Sequence, residues 1–506
     1  MKFRVFLIAF CSAVLLWAVP VSSPNAETVF RIKGIDQKVF DRLSINTDQP
    51  IELLVADLLH ALEQRGYILA TVDLTNDGIL NVDLGRINKI TVVGLDSKSE
   101  LSARGYLETA TGEKPNVKNI DRALALINDL PGISASIAFE RSPTDGTYEL
   151  VLAADQRRQF GGVSLDSTPR NLFKQNRINL QQDFYSVFTG GDIVRLQGAY
   201  LRGDDKPAQR SVYGSYQIPL GKDGFYLEGS VGDLKSETSV VGTSTTAITS
   251  SGVTIIPDAV SNHDFEGRTA SLTAGYPLVR RHNSALYIVS ALNYSDDTTD
   301  SLGDTESFLG SVSFFHNHHN ATGESIAAGI SLSYGSVDDF IDTKDGNFGH
   351  LRVGAGYIQP VHVISQNTEI RLEGYGQIGS TKTPASSGFN LGSEEFLRGY
   401  STATFSGNSG LAATAELAHA YHPTIDYIHR LTPYIFIDVG YVGNASSQVN
   451  ATTRPENDTL VSFGLGATAN FENNLQLLGY FGIPVMEDAS NEVPGPRAYL
   501  KLSWSW

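Results

Sequence analysis

The 506-residue chain has little of several things, and each shortage excludes something. It has one cysteine and two methionines. The cysteine, Cys11, lies inside an N-terminal apolar run, and Phe10 before it does not suit a lipid-modified cysteine. Beyond that run there is no thiol, so disulfides and thiolate zinc sites are excluded. Basic residues are outnumbered, 38 Lys and Arg against 55 Asp and Glu, which gives a formal charge of −17. That balance argues against nucleic acid as a partner. After the first segment no run of about 18 apolar residues occurs, so no later membrane helix is expected. No nucleophile-elbow sequence or paired-carboxylate arrangement stands out. No catalytic residue, cofactor or metal is expected, and the chain does not read as an enzyme.

The start, residues 1–26, reads as a secretory signal peptide. Lys2 and Arg4 form its charged end, Val5 to Val19 its apolar middle, and Ser22 to Ala26 a small-residue region. An uncleaved anchor helix is the alternative, although the run is short for a span. The rest is rich in glycine, 48 residues, with frequent Tyr, Phe, Ser and Thr. That composition favours a large β structure.

From Glu27 to about Gln156 helix and strand patterns alternate. Thr28 to Ile35 reads as a strand and Gln37 to Ile45 as a short helix. Asp48 or Gln49 can cap a second helix with Pro50 in its first turn. Ile51, Leu54, Leu58 and Leu62 follow at helical spacing, and Gly66 ends it. Tyr67 to Leu74 and Ile79 to Leu84 alternate as strands around Asn76-Asp77-Gly78. The order then repeats. Asn88 to Leu95 is a strand and Glu100 to Ala110 a helix. Val117, Ile120, Leu124 and Ile127 mark a second helix that stops at Pro131-Gly132. Ile133 to Arg141 and Thr147 to Ala153 are strands. The pattern predicts a tandem β-α-α-β-β unit of about 65 residues each. One continuous α+β domain is the alternative.

From Phe160 to Trp506 about sixteen alternating segments follow one another. In one of them Glu369, Arg371, Glu373 and Gln377 alternate with Ile370, Leu372 and Ile378. In the last, Leu500, Leu502, Trp504 and Trp506 alternate with Lys501, Ser503 and Ser505. A soluble sandwich also alternates, but a terminal strand ending in tryptophans would expose costly apolar area to water. Connections alternate too. Long links such as Thr238–His263, Ser380–Gly410 and Asn444–Asp458 take turns with short ones such as Gly221-Lys222-Asp223 and Glu472-Asn473. Short turns on one side and long loops on the other mark an outer-membrane barrel. An even number of strands lets the first and last pair antiparallel and close the edge.

One long link, about 380–410, carries Phe396, Leu397, Arg398, Gly399 and Tyr400 at its tip. Downstream, Phe436, Asp438 and Gly440 share one strand face, opposite Ile435, Ile437 and Val439. An apolar face opposite one with a carboxylate suits a barrel wall, so the link is expected to fold inward and bring Arg398 to Asp438.

These features resemble a known family, the TpsB-type transporters of two-partner secretion in Gram-negative bacteria (the ShlB/FhaC/HecB haemolysin secretion/activation group of the POTRA-plus-barrel superfamily). Leu397-Arg398-Gly399-Tyr400 is similar to the family's V-R-G-Y/F loop motif, with leucine for valine. Phe436, Asp438 and Gly440 match its F-x-D-x-G inner-wall motif. Leu62-Glu63-Gln64-Arg65-Gly66-Tyr67 and Gly85-Arg86-Ile87 resemble first-POTRA signatures. The resemblance implies a mainly β fold: POTRA domains at 27–86 and 87–157, then a sixteen-stranded transmembrane antiparallel barrel at 158–506. It implies a monomer in the outer membrane with periplasmic POTRA domains. Its partners would be a large secreted exoprotein with an N-terminal secretion domain, outer-membrane lipid and the barrel assembly machinery. The machinery would read a C-terminal signal at Leu502, Trp504 and Trp506. An assembly factor of the same superfamily and a passive porin are the alternatives. Family members often have a plug helix before the first POTRA; here almost nothing separates the leader from the first strand, a departure from the family pattern that leaves the plug an open question.

Three further clusters have bland readings. Gly374-Tyr375-Gly376-Gln377-Ile378-Gly379 spells a dinucleotide fingerprint but opens no helix; its glycines are expected to thin the wall where the loop approaches. His316, His318 and His319 lack a nearby carboxylate and read as a solvated turn. Arg157-Arg158 reads as a polar linker or a lipid-headgroup contact.

Overall fold

The computed structural model describes residues 31–35, 43, 50–75, 79–112, 115–167, 176–202, 207–236, 240–241, 245–249, 252–256, 260–261, 265–299, 303–339, 346–380, 383, 387–392, 395–400, 405–425, 427–443, 457–487 and 493–506. The expected leader, the helix at Gln37–Ile45 apart from Leu43, the caps Asp48 and Gln49, and the Asn76-Asp77-Gly78 turn lie outside these residues.

Two compact units make up the chain. The smaller holds β1 (Arg31–Lys33), α1 (Ile51–Gln64), β2 (Thr71–Leu74) and β3 (Ile79–Asp83). Its sheet runs β1-β3-β2, with β1 parallel and β2 antiparallel to β3. Leu54, Leu58 and Leu62, one helical face of α1, are buried, as are Leu80 and Val82 of β3. Each such side chain contributes about 1.5–3 kcal/mol relative to exposure. Pro50 occupies the cap position rather than the first turn, and no side chain caps α1 there. β2 begins four residues later than the alternation suggested, because the chain makes a further turn at Ile68–Leu69 before entering the sheet.

The larger unit begins with a second repeat: β4 (Ile87–Val93), α2 (Ser97–Thr111), α3 (Val117–Asp129), β5 (Ile133–Arg141) and β6 (Tyr148–Gln156). Its sheet runs β4-β6-β5. Asp96 and Asn116 cap the two helices, each accepting a backbone N–H through its side chain. Tyr106, Leu107, Ile120, Ile127, Leu150 and Leu152 form its core.

The remainder is a closed barrel of sixteen antiparallel strands. In order they are β7 (Gln159–Ser167), β8 (Asn176–Tyr185), β9 (Ile193–Arg202), β10 (Pro207–Leu220), β11 (Phe225–Ser236), β16 (Phe265–Arg281), β17 (Ser284–Thr299) and β18 (Gly303–His319). Then come β19 (Ser325–Asp339), β20 (Gly346–Pro360), β21 (Thr368–Gly379), β24 (Ser409–His419), β25 (Ile428–Gly443), β26 (Asn457–Phe471), β27 (Leu475–Pro484) and β28 (Arg497–Ser505). Short strands β12 (Val240–Val241) to β15 (Val260–Ser261) lie in the link after β11; β22 (Phe389–Leu391) and β23 (Phe405–Gly407) lie in the link after β21. The seam joins β28 to β7 from Lys501↔Asp166 to Ser505↔Gly162. Outward positions are apolar all round the wall, including Leu180, Val212, Leu272, Leu332, Ile437 and Leu502, all exposed. A belt this extensive fits hydrocarbon and not water. Among the described residues no helix is long and apolar enough to cross a membrane.

The second repeat rests on the rim turns of this barrel. Asp129, the last residue of α3, accepts from Arg280 Nε and Nη2, both at 2.6 Å, and from the Tyr287 hydroxyl at 2.7 Å. A carboxylate is disfavoured at a helix C-terminus, so this Arg–Tyr pair accounts for its presence there. Arg122 Nη2 donates to the Pro277 carbonyl at 3.0 Å, at a bulge in β16. Arg158 pairs with Asp96 at 3.0 Å, which makes the Arg157-Arg158 stretch a linker tied to the second repeat.

Candidate functional site

The site is built on the inner wall where β24, β25 and β26 run side by side. Register places Thr414 opposite Asp438 and Asp438 opposite Ser462, so three polar side chains form a row across the three strands. One row away, Arg371 of β21 faces Glu416 of β24, and Glu416 faces Phe436 of β25. Alternation assigns these residues inward: Phe436, Asp438 and Gly440 are buried, while Ile435, Ile437 and Val439 are exposed on the lipid side.

Over this row lies the tip of the link between β21 and β24, with Arg398 only 4% exposed and Asp438 at 0%. Arg398 grips Asp438 three times. Its backbone N–H and its Nε donate to Oδ2 at 2.9 and 3.1 Å, and Nη2 donates to Oδ1 at 2.7 Å. Nη2 also donates to Thr414 Oγ1 at 2.8 Å, and Nη1 pairs with Glu416. The guanidinium lies 3.5 Å above the centre of the Phe436 ring, a cation–π contact. Ser462 donates to Asp438 Oδ2 at 3.2 Å and accepts from the Gly399 N–H at 3.3 Å. Every guanidinium nitrogen is thus engaged. The charges also extend as a ladder, since Arg371 contacts both Glu416 and Glu369.

The neighbours of Arg398 explain why the tip fits. A Cβ on Gly399 would come within 2.8 Å of the Pro484 nitrogen and the Ser462 Cβ. One on Gly440 would come within 2.6 Å of Leu397. Small residues therefore set the distance between loop and wall. Tyr400 is fully buried; its hydroxyl accepts from Met486 N–H at 2.9 Å and lies 2.9 Å from the Val461 carbonyl. Leu397 holds φ +62°, a conformation that a non-glycine residue adopts only when its surroundings impose it. Those surroundings are apolar: Phe389, Leu391, Leu397, Tyr400 and Phe405 of the link pack on Ala412, Val442 and Leu460 of the wall.

The structure thus brings Leu397, Arg398, Gly399 and Tyr400 together with Phe436, Asp438 and Gly440. It places Leu502, Trp504 and Trp506 elsewhere, on the lipid-facing side of the last strand and its end. Glu416, Thr414 and Ser462 were not singled out from sequence. Their signal was available only as inward positions on strands whose register was unknown. The Gly374–Gly379 stretch lies inside β21. Gly379 does stand where a Cβ would strike the Asn408 carbonyl, but Gly374 has no such neighbour. His316 contacts the Ala285 carbonyl, and among the described residues no group of three His, Cys, Asp or Glu could hold a metal.

A family model described as "Haemolysin secretion/activation protein ShlB/FhaC/HecB" matches residues 149–469. The fold is similar to that of CdiB from Escherichia coli, with a TM-score of 0.72 at 16% identity over 96% of this chain and 93% of that one. CdiB from Acinetobacter baumannii gives 0.68 at 17% identity, over 94% and 89%. BamA from Haemophilus ducreyi lacking POTRA domains 1-3 gives 0.53 at 17%, over 94% and 99%. No curated protein sequence matches the chain.

Proposed function

The chain belongs to the ShlB/FhaC/HecB haemolysin secretion/activation family of outer-membrane secretion transporters, and from that premise we propose that it exports one specific partner exoprotein. POTRA domains at 27–86 and 87–157 receive the partner's N-terminal segment unfolded, in the periplasm, and the barrel at 158–506 passes it outward. Extended polypeptide can add to a sheet edge or lie in a helix groove, and the repeats offer both. The functional site is the loop motif Leu397–Tyr400 on the wall motif Phe436, Asp438 and Gly440. Leu502, Trp504 and Trp506 are the signal read by the assembly machinery, and residues 1–26 are the leader. The transporter works as a monomer.

The observation that carries this reading is a buried arginine, donated by a long link, paired inside a closed barrel. A passive pore has no need for a buried charge pair on an inward link. The test is export by the full chain in a Gram-negative host, co-expressed with a candidate exoprotein that carries an N-terminal secretion domain. Partner in the medium only when the transporter is present supports the proposal. Inserted barrel and ion conductance with no export of any candidate would favour a porin. Loss of other barrels on its depletion would favour an assembly factor.

A further inference from the structure

The link after β21 is held at a second place, on a different part of the wall. Gln377 of β21 is 2% exposed. Its Nε2 donates to the Ser387 carbonyl at 3.0 Å and to the Asn408 carbonyl at 3.1 Å. Ser387 lies just before the β22–β23 hairpin and Asn408 just after it, so one amide holds both legs of the link. Its Oε1 accepts from Arg352 Nε of β20 at 2.8 Å, and Arg352 Nη2 donates to Ser387 O at 3.0 Å. This arrangement fixes the amide orientation, because the flipped oxygen would face two carbonyls. Two residues before Gln377, Tyr375 stacks on Phe389 of the hairpin, ring centres 5.6 Å apart and 10° from parallel. These contacts lie on β20 and β21, whereas the Arg398 grip lies on β24, β25 and β26.

We propose that Arg352 and Gln377 are positioning residues that clamp both legs of the inward link to β20 and β21, independently of the grip that seats the Arg398 tip. The Gly374–Gly379 sequence that imitates a nucleotide fingerprint is, on this assignment, part of the clamp, through Tyr375 and Gln377. The proposal rests on the reading that the link serves export, and its test separates the two.

Gln377→Glu is the decisive variant. Glutamate keeps an acceptor for Arg352 and adds a charge to that contact, but it has no hydrogen to give to Ser387 or Asn408. A role limited to wall stability would be served by it; a clamp would not. Cys11 is the chain's one cysteine, so in a full chain carrying Cys11→Ser, single cysteines at Asn390 in the hairpin and at Glu395 near the tip report selectively with a nitroxide, in detergent or bilayers. Loss of two hydrogen bonds predicts a mobile Asn390 population about tenfold larger in Gln377→Glu and Gln377→Ala, with the Glu395 signal still immobile. Arg352→Ala gives the same pattern, weaker. An Asn390 nitroxide as immobile in Gln377→Glu as in the wild type overturns the clamp. Mobilisation of Asn390 and Glu395 together also overturns it, since leg and tip would then not be separately held. Mobilised Asn390 with unchanged export upholds the clamp and sinks the reading that the link serves export.

Discussion

Two of the arginine–aspartate pairs on this barrel's wall differ in what brings them together. Arg195 of β9 stands directly opposite Asp183 of β8, and their side chains meet at 3.1 Å. Strand pairing alone produces that contact. Arg195 remains 22% exposed, and Gln181 shares the carboxylate at 3.1 Å. Arg398 reaches Asp438 from a separate segment, and both side chains are at 5% exposure or less. A cross-strand pair of the first kind contributes about 0.2–1 kcal/mol. A desolvated pair of the second kind is poor at adding stability, yet costly to break, because the surviving charge has no water to turn to. The first decorates a wall. The second fixes where a separate segment must sit.

The bluntest way to break the comparison is to remove both walls. β28 closes the barrel through five register pairs, and the chain end extends that seam. Trp506 exchanges backbone hydrogen bonds with Gly161 at 3.0 and 3.2 Å, and its ring lies where a Cβ on Gly161 would be. Deleting residues 504–506 should leave little heat-modifiable barrel in the outer membrane, read by gel shift on membrane fractions. Wild-type amounts would show that neither the seam nor the terminal aromatics are needed.

Next in size is the buried pair itself. Arg398→Ala or Asp438→Ala should cost roughly 3–5 kcal/mol in the seating of the tip. Export should be lost or sharply reduced while the barrel still inserts. In a double-mutant cycle the second substitution should add little to the first. Wild-type export by Arg398→Ala, at normal abundance, would mean that the tip does not organise export. The wall pair gives the contrast: Asp183→Asn should change stability by about 1 kcal/mol or less, with export near normal. An export defect equal to that of Arg398→Ala would erase the distinction drawn between the pairs.

How much of this was readable in the sequence follows from what alternation encodes. It assigns a face, so Asp438 could be placed inward and Ile437 outward, and it marks the strands that stack into a barrel. It does not encode register between strands. Thr414, Glu416 and Ser462 therefore could not be joined to Asp438, since a slip of one residue would have sent each of them to the lipid face. The cation–π role of Phe436 was hidden for the same reason. Gln377 was visible only as one more inward polar residue, because its partners are backbone carbonyls, which carry no side-chain signature. The strand around Tyr67 was drawn too long because apolar alternation continues through the turn at Ile68–Leu69, which has no glycine or proline to mark it.

The smallest effect belongs to a residue outside the barrel, and it sharpens the comparison by separating stability from seating. Asp96 caps α2, accepting from the Ser99 N–H at 2.8 Å, and it also meets Arg158. Burial works to raise its pKa, but the hydrogen bonds from Ser99, the charge of Arg158 and the Gln156 amide outweigh it, and the net shift is downward. A carboxyl whose folded pKa lies below its unfolded value of about 3.9 adds stability above that value. The contribution is fully present near neutral pH and is lost as pH falls through the folded pKa. Asp96→Ala should therefore lower the stability of the second repeat by about 1 kcal/mol near pH 7. The difference from wild type should shrink on acidification below pH ~4, where the wild-type carboxyl is protonated as well. Denaturant titrations of the full chain across that range, followed by a probe in the second repeat, would measure it. Export by Asp96→Ala at neutral pH should stay close to wild type. If so small a loss, far from the tip, abolished export as Arg398→Ala is expected to, the effect of the buried pair could no longer be ascribed to where the link sits.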